Sequence, residues 1–243
     1  MQKTGIPKAT TFRILSVLCT AGLLEHDPAL RRYRVAVHAL DLSAAYLETL
    51  RLPSLASPYL EALADQCMES SSMAVLDEAE VVYVARAATR RWMSLNLQVG
   101  SRLPAHCTSM GRVLLAYRSW NEVEDLLTLV PPVAYTPKTV TDISRLREIL
   151  AEVRATGFAV NEEELELGLR SAAAPVTVGQ EVLAAINIST STSRTSLDVL
   201  IGEFVPKLVN TTREVSEAIT RVVRVGRNAL NQIRPAPERL VRP

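Results

Sequence analysis

The sequence predicts an α+β protein in two parts, and three observations carry that prediction. A helix-and-ribbon pattern opens the chain, strand pairs interleaved with helices follow, and charge is divided unevenly between them. Of the 243 residues, 48% are hydrophobic and 22% charged, as in ordinary globular domains. That length holds one large domain plus a small one. The net charge of +1 conceals a basic start, where residues 1–36 carry Lys3, Lys8, Arg13, Arg31, Arg32 and Arg34 against Glu25 and Asp27. From residue 224 onward there are five arginines and one glutamate, so everything between is net acidic. A basic end on an acidic body suits a nucleic-acid module joined to a part with another task.

Composition also narrows the function classes. No stretch approaches the ~20 apolar residues of a membrane span, and the N-terminus lacks the apolar core of a signal peptide, so cytoplasmic residence without membrane contact is expected. Cys19, Cys67 and Cys107 are odd in number and show no CxxC spacing. With only His26, His38 and His106 beside them, neither a disulfide framework, a metal centre nor a cofactor is expected.

Residues 5–35 read as a helix followed by a two-stranded ribbon. Pro7 stands where a first helical turn needs no N–H, and Gly22 follows the last periodic residue as a left-handed cap. Thr11, Ile14, Leu15 and Leu18 fall at i, i+3, i+4 and i+7, one stripe expected to be buried. The opposite face carries Ala9, Arg13, Ser16 and Thr20, flanked by Lys8, Thr10 and Phe12. It is small, polar and cationic, and it fits a major groove. Residues 23–26 and 32–35 are strand-like around a turn with Asp27 and Pro28. A ribbon tipped with Arg31 and Arg32 suits a phosphate backbone, where cations add affinity without reading sequence. The whole stretch is the ending of a winged helix-turn-helix; an ordinary surface helix and hairpin fits the same pattern.

Val37, Leu40, Ala44 and Leu47 then recur with 3-4-3 spacing on one helical seam, which Pro53 is expected to end. Such a linker helix either pairs with its copy in a dimer or packs on its own chain. Pro53 and Pro58 bracket the boundary, and residues 58–68 begin the second domain as a helix. Residues 72–77 and 80–87 form a hairpin around an acidic turn. Residues 92–97 and 102–105 are extended. Helices are expected over 108–117, 120–130 and 143–156, the last closed by Gly157. After an extended Phe158-Ala159-Val160 and an acidic turn over 162–166, strands 171–178 and 182–190 flank Gly179-Gln180. Val182, Ala184, Ile186 and Ile188 are expected on one face. A long helix from Leu197 to about Val223, interrupted near Pro206, completes the body, and the Arg/Pro-rich end from Asn228 reads as disordered.

One segment is chemically unusual, the run from Leu103 to Ala116. With Thr108 as N-cap, the amides of Ser109, Met110 and Gly111 would be open at a helix N-terminus, a place that receives carboxylates. The alternative is a capped helix packed on the sheet, with Gly111 allowing close contact. His106-Cys107 invites a nucleophile reading, but adjacent residues rarely present both side chains to one reacting atom, and no orienting Asp or Asn is recognisable. An acidic run such as 162–166 is usually a solvated turn. No enzyme is expected.

These residues resemble the IclR-type transcriptional regulators, from Gly5 to about Val223. The resemblance is carried by IPKATTFRIL with GLLEHDPALRRYRV, by LPAHCTSMGRVLLA and by GFAVNEEELELGLRSAAAPV, in order and spacing. The CTSMGRVLLA and ELELGLRS wordings look most like the branch that controls aromatic-acid catabolism through protocatechuate and β-ketoadipate. It implies a partial winged helix-turn-helix over 1–36 lacking its first helix and most of the second, a linker helix over 37–52, a GAF-like effector domain over 53–225, and a tail over 226–243. It implies a homodimer or dimer of dimers that binds a double-stranded DNA operator through Lys8, Thr10, Arg13 and Ser16, with Arg31 and Arg32 on the wing. A small organic acid would be held by Ser109, Met110, Asn161 and Ser171 as polar contacts, with Trp92, Leu95, Leu103 and Leu169 as the apolar wall. Asn161 departs from the aspartate of some members and Ser171 from a cysteine. Trp92, where some relatives have leucine, either stacks on an aromatic effector or packs half-buried. Arg86 and Arg170 are candidate counter-ions for an effector carboxylate, or structural partners of the acidic turns. A competing possibility is an effector-binding dimer whose incomplete DNA-binding module no longer reads DNA.

Overall fold

The computed structural model describes residues 5–42, 52–88 and 97–233, and the chain divides into two compact units between Leu52 and Pro53. In the first unit, helix α1 (Lys8–Thr20) is followed by strands β1 (Leu24–Asp27) and β2 (Arg32–Val35). Pro7 is the N-cap, and its carbonyl accepts from both the Thr11 amide at 2.9 Å and the Thr11 hydroxyl at 3.1 Å. At the other end Gly22 is left-handed with φ +72°. Its N–H bonds the Cys19 carbonyl at 3.0 Å and the Leu23 N–H bonds the Leu18 carbonyl at 2.9 Å, the paired bonds of a Schellman motif. A Cβ at Gly22 would also lie 2.7 Å from His38 Nδ1.

The ribbon is in register from Leu24 opposite Val35 to Asp27 opposite Arg32. Asp27 Oδ1 accepts from the Ala29 and Leu30 amides at 2.9 and 3.0 Å, so the carboxylate builds the turn that carries Arg31 and Arg32. His26 and Tyr33 stack across the strands at 4.7 Å. The expected buried stripe of α1 is a correction, because no residue of α1 is buried and Ile14 is 44% exposed. The ribbon strand β1 is what packs against α1, and one short strand cannot cover a helix of more than three turns. Of the expected linker seam, Val37 and Leu40 are exposed beside a helical turn at 39–42. Ala44 and Leu47 lie outside the described residues.

The second unit begins at Pro53, within α2 (Leu52–Cys67), which contains both prolines expected to bracket a boundary. Pro53 falls in the first turn, where its missing N–H is unused; Pro58 gives up one helical bond inside the helix. Strands β3 (Ser70–Asp77), β4 (Glu80–Ala87), β5 (Arg102–Pro104), β6 (Ala159–Glu162), β7 (Leu169–Val178) and β8 (Glu181–Ser191) form one antiparallel sheet in the order β5-β4-β3-β8-β7-β6. Helices α3 (Ser109–Ala116), α4 (Trp120–Leu129) and α5 (Ile143–Thr156) share a core with one sheet face, where Met110, Val113, Leu146 and Leu150 meet Ala74, Tyr83, Ala173 and Ala185. Ser119 with Glu122 makes a capping box on α4, and Asp142 caps α5 at 2.7 Å.

A short α6 (Leu197–Val199) runs through a π turn (Leu200–Phe204) into α7 (Val205–Ile233), which packs on β7 and β8. The interruption thus falls beside Pro206, as expected. The helix continues to Ile233, beyond the end near Val223 expected from the sequence; residues 234–243 lie outside the described range. Val182 is a second correction. A register shift opposite Val176 and Thr177 inserts Leu183 as an extra residue in β8, which turns Val182 onto the core that contains Ala185 instead of the face of Ala184, Ile186 and Ile188.

Candidate functional site

The site grows out of the sheet register. Asn161 of β6 stands opposite Ser171 of β7, and Ser171 opposite Ser189 of β8. One step along, Asn187 stands opposite Ser72 of β3, and Ser72 opposite Arg86 of β4. Cross-strand partners share a face, as do residues two apart on one strand, so all six project from the face that carries Ala74, Ala173 and Ala185. That face is apolar in the middle and polar toward one end. Tyr83 joins it because a bulge at Val84 lets Met73 pair with Ala85 and Ala74 with Tyr83, which brings Tyr83 and Arg86 to the same side despite their odd spacing.

The start of α3 covers the polar end and closes a pocket. Of the residues expected to hold a ligand, Leu103, Ser109, Met110, Asn161, Leu169 and Ser171 all line it, together with Tyr83, Arg86, Asn187 and Ser189. The free space among them is about 20 Å³, little more than one water occupies, so a ring-sized ligand would have to displace side chains to enter. Trp92 and Leu95 lie outside the described residues. Arg170 does not line the pocket; its buried guanidinium donates to the Thr195 carbonyl at 2.6 Å and pairs with Glu162. Arg86 is half-buried, donates to Ser72 Oγ at 3.0 Å, and among the described residues pairs with no carboxylate. Burial lowers its pKa, opposed by nearby Tyr83, whose own phenol is pushed up to about 12 by burial.

Not all three amides at the head of α3 are open. Thr108 is the N-cap, and its Oγ1 accepts from the Gly111 amide at 3.2 Å while donating to the Pro104 carbonyl at 3.0 Å. Gly111 serves close packing, since a Cβ there would lie 2.2 Å from the Ala105 carbonyl oxygen. Ser109 Oγ meets Ser171 Oγ at 2.8 Å across the pocket wall.

The acidic stretch after β6 is a further correction. Glu164, expected in a solvated turn, is buried against Arg112 of α3 and also accepts from the Val140 amide at 3.0 Å. Thr136 and Thr139 bond the carbonyls of Glu163 and Glu164, and Lys138 pairs with Glu163. These ties hold the loop that presents Leu165 to the pocket.

His106 and Cys107 do not form a nucleophile and base. Burial, with Glu164 nearby, pushes the Cys107 thiol up to about 12, and the His106 ring bonds the Val133 carbonyl at 3.0 Å. Sequence reasoning missed Tyr83, Asn187 and Ser189. The alternation of Asn187 and Ser189 with Ile186 and Ile188 was a usable signal for the last two; nothing local announces the bulge that recruits Tyr83.

In the first unit Lys8, Arg13, Ser16, Arg31 and Arg32 are exposed and Thr10 is half-buried. The Lys8 ammonium sits over the Phe12 ring at 5.9 Å, and Arg34 is held by Glu25 at 2.7 Å.

A helix with a basic ribbon, joined to a sheet unit that encloses a polar pocket beneath a helix start, fits the class of regulators that join a DNA-binding module to a sensor domain. The chain belongs to the IclR family: the family description "Bacterial transcriptional regulator IclR C-terminal" matches residues 44–217, and "IclR helix-turn-helix domain" matches residues 1–28. It is similar to the Pca regulon regulatory protein of Pseudomonas putida, 39% identical over 215 residues that cover 88% of this chain and 73% of that one. Among solved structures it is similar to a double mutant of the PobR inducer binding domain from Acinetobacter in complex with 3-hydroxybenzoic acid, at 35% identity and TM-score 0.65, covering 68% of this chain and 97% of that one. It is also similar to an IclR homolog from Microbacterium hydrocarbonoxydans complexed with 4-hydroxybenzoate, at 25% identity and TM-score 0.75, covering 89% and 87% of the two chains.

Proposed function

We propose that the pocket binds a small aromatic acid and that its occupancy changes operator binding by the first unit. The observation that carries this is Arg86: a half-buried cation with no carboxylate partner among the described residues, in a pocket whose lining contains no acidic side chain. Leaving such a charge unpaired is costly, and an effector carboxylate relieves it through two parallel N–H bonds. Ser109, Met110, Asn161 and Ser171 supply further polar contacts, and Leu103 and Leu169 the apolar wall. The hydroxybenzoate complexes of two relatives support an aromatic acid.

On the DNA side, Lys8, Thr10, Arg13 and Ser16 of α1 enter the major groove of the operator, and Arg31 and Arg32 contact phosphate. Two copies pair through the seam that starts at Val37 and Leu40, so the operator is read as two half-sites. Titration calorimetry with a panel of aromatic and dicarboxylic acids tests the pocket. Ser109→Leu fills it and blocks binding; unaltered binding by that variant removes the α3 start from the site. Fluorescence anisotropy of labelled operator with and without the bound acid tests the coupling.

The unburied α1 favours a second reading, in which this chain binds effector but holds its recognition helix too loosely to read DNA. A gel shift of the 243-residue protein on its operator separates the two. A specific shift at nanomolar protein supports the regulator, and salt-sensitive, sequence-blind binding supports the alternative.

A further inference from the structure

We infer that Asn187 reads a hydroxyl on the effector, so the pocket selects an acid that carries a hydrogen-bond donor over the same acid without one. The inference deepens the acid-binding reading above and rests on it. Asn187 is 3% exposed, and its Nδ2 donates to Ser189 Oγ at 2.9 Å, yet its Oδ1 is buried without a partner. An amide oxygen only accepts, so whatever satisfies it must bring an O–H or N–H. Asn161, 5% exposed, presents the opposite deficit, a buried Nδ2 donor with no acceptor. Ser109 and Ser171 share one hydrogen bond, which uses one hydroxyl proton and leaves the other, with lone pairs on both oxygens, for a ligand.

These deficits distinguish ligand chemistries. A carboxylate accepts and never donates, so it serves Arg86 or Asn161 but leaves Asn187 Oδ1 orphaned. A hydroxyl donates and accepts, and among common substituents of an organic acid it is the smallest that satisfies Asn187. The sheet register sets the spacing. Asn187 and Arg86 both stand opposite Ser72, one on each side, which places their backbones two strand spacings or roughly 10 Å apart. Both side chains reach inward from those positions, and Arg86 leans onto Ser72. A single ring with a carboxylate at one side and a hydroxyl meta or para to it spans that gap, its faces against Leu103, Leu165 and Leu169. A site built to receive a donor rejects the analogue lacking it more strongly than an apolar slot rejects a missing methylene, because the site's own acceptor is then left unpaired.

The test is a set of dissociation constants from calorimetry for benzoate, para-fluorobenzoate, meta- and para-hydroxybenzoate and para-aminobenzoate. The wild type is expected to bind at least one donor-bearing acid about tenfold or more tightly than benzoate and the fluoro acid. Asn187→Leu, of similar volume and without polar atoms, is expected to weaken only the donor-bearing acids, bringing the five within about threefold of one another. Equal affinities of the wild type for the five acids overturn the inference while leaving acid binding intact. So does a hydroxyl preference that survives in Asn187→Leu. If none of the acids binds the wild type, the acid-effector reading itself fails and this one with it. Should the leucine variant not fold, the wild-type series alone decides, since it requires no substitution.

Discussion

Arg112 and Glu164 meet through two contacts of 2.7 Å, Nη1 to Oε1 and Nη2 to Oε2, with side chains only 4% and 9% exposed. The Arg112 Nε also donates to the His106 carbonyl at 3.0 Å, so one guanidinium ties α3 to its own entry loop and to the loop that carries Leu165. Breaking a buried pair strands the surviving charge, whereas replacing both partners by apolar groups does not. Arg112→Met is therefore expected to lower the unfolding free energy by about 3–5 kcal/mol, and Arg112→Met with Glu164→Leu by markedly less. Urea titrations of the two variants and the wild type check this. A double variant that loses as much as Arg112→Met or more would show that the stranded Glu164 charge is not what makes the single change costly.

Gly111→Ala adds one methyl where backbone, not a movable side chain, already sits, 2.2 Å from the Ala105 oxygen and 2.3 Å from its Cα. Either α3 lifts or the loop behind it shifts, and both carry Ser109 and Met110 with them. We expect a stability loss of about 1–3 kcal/mol and weakened effector binding together. Thermal unfolding and calorimetry measured on the same preparation decide it, and unchanged values in both would mean the loop yields freely.

How far the sequence was legible follows from the range of each signal. The end of α1 at Gly22, the cap at Thr108 and the α5 boundary at Asp142 and Gly157 are local chemistry, visible in a few adjacent residues. Leu103, Ser109, Met110, Asn161, Leu169 and Ser171 are legible as pocket residues through the family resemblance, because whole motifs carry them. What remained hidden depends on partners far along the chain. Glu164 looks like part of a solvated acidic run until Arg112 is placed beside it, 52 residues away. The bulges at Val84 and Leu183 reverse which residues share a face, and only the paired strand defines them. The stripe on α1 shows the opposite failure: its period is right for burial, but periodicity says nothing about whether a covering surface is present.

Stability is expected to fall in alkali over a defined window. The Cys107 thiol is pushed from 9.0 to about 12 and the Tyr83 phenol from 10.0 to about 12, both chiefly by burial. Between the ordinary values and about 12 the native state holds protons that the unfolded chain has released, so stability declines as pH rises. Urea midpoints at about pH 8 and about pH 10.5 should differ accordingly, and Cys107→Ala should shrink the difference. A midpoint that does not move across this range contradicts the buried, protonated state of both groups.

Arg13 and the wing arginines should separate by kind of effect on DNA. Arg13 lies on the face of α1 expected to meet base edges, so Arg13→Ala is expected to cost about 1–3 kcal/mol on the operator and little on unrelated DNA. Arg31→Ala or Arg32→Ala should weaken both alike and reduce the salt slope by about 1. Anisotropy titrations over a range of salt concentrations distinguish them, and an Arg13→Ala variant with full operator affinity would remove α1 from the major groove.

Arg86 and Arg170 offer the sharpest contrast, because both are candidates for the effector carboxylate by sequence and the structure gives them different surroundings. Arg170 is spent on the Thr195 carbonyl and Glu162, away from the pocket; Arg86 lines the cavity and, among the described residues, bonds the Ser72 hydroxyl and pairs with no carboxylate. Arg86→Gln keeps an amide NH2 but removes the charge and the fork, and hydrogen bonds to charged groups contribute about 1.5–3 kcal/mol, so acid affinity should drop roughly tenfold to a hundredfold. Its thermal midpoint should stay near that of the wild type, or rise, since an uncompensated half-buried charge is gone. Arg170→Gln should do the reverse, lowering the thermal midpoint while acid affinity stays within about threefold once measured well below that midpoint. Paired calorimetry and thermal unfolding of both variants decide the assignment. If Arg170→Gln loses the acid and Arg86→Gln retains it, the carboxylate lies away from the pocket that Ser109 and Asn161 line.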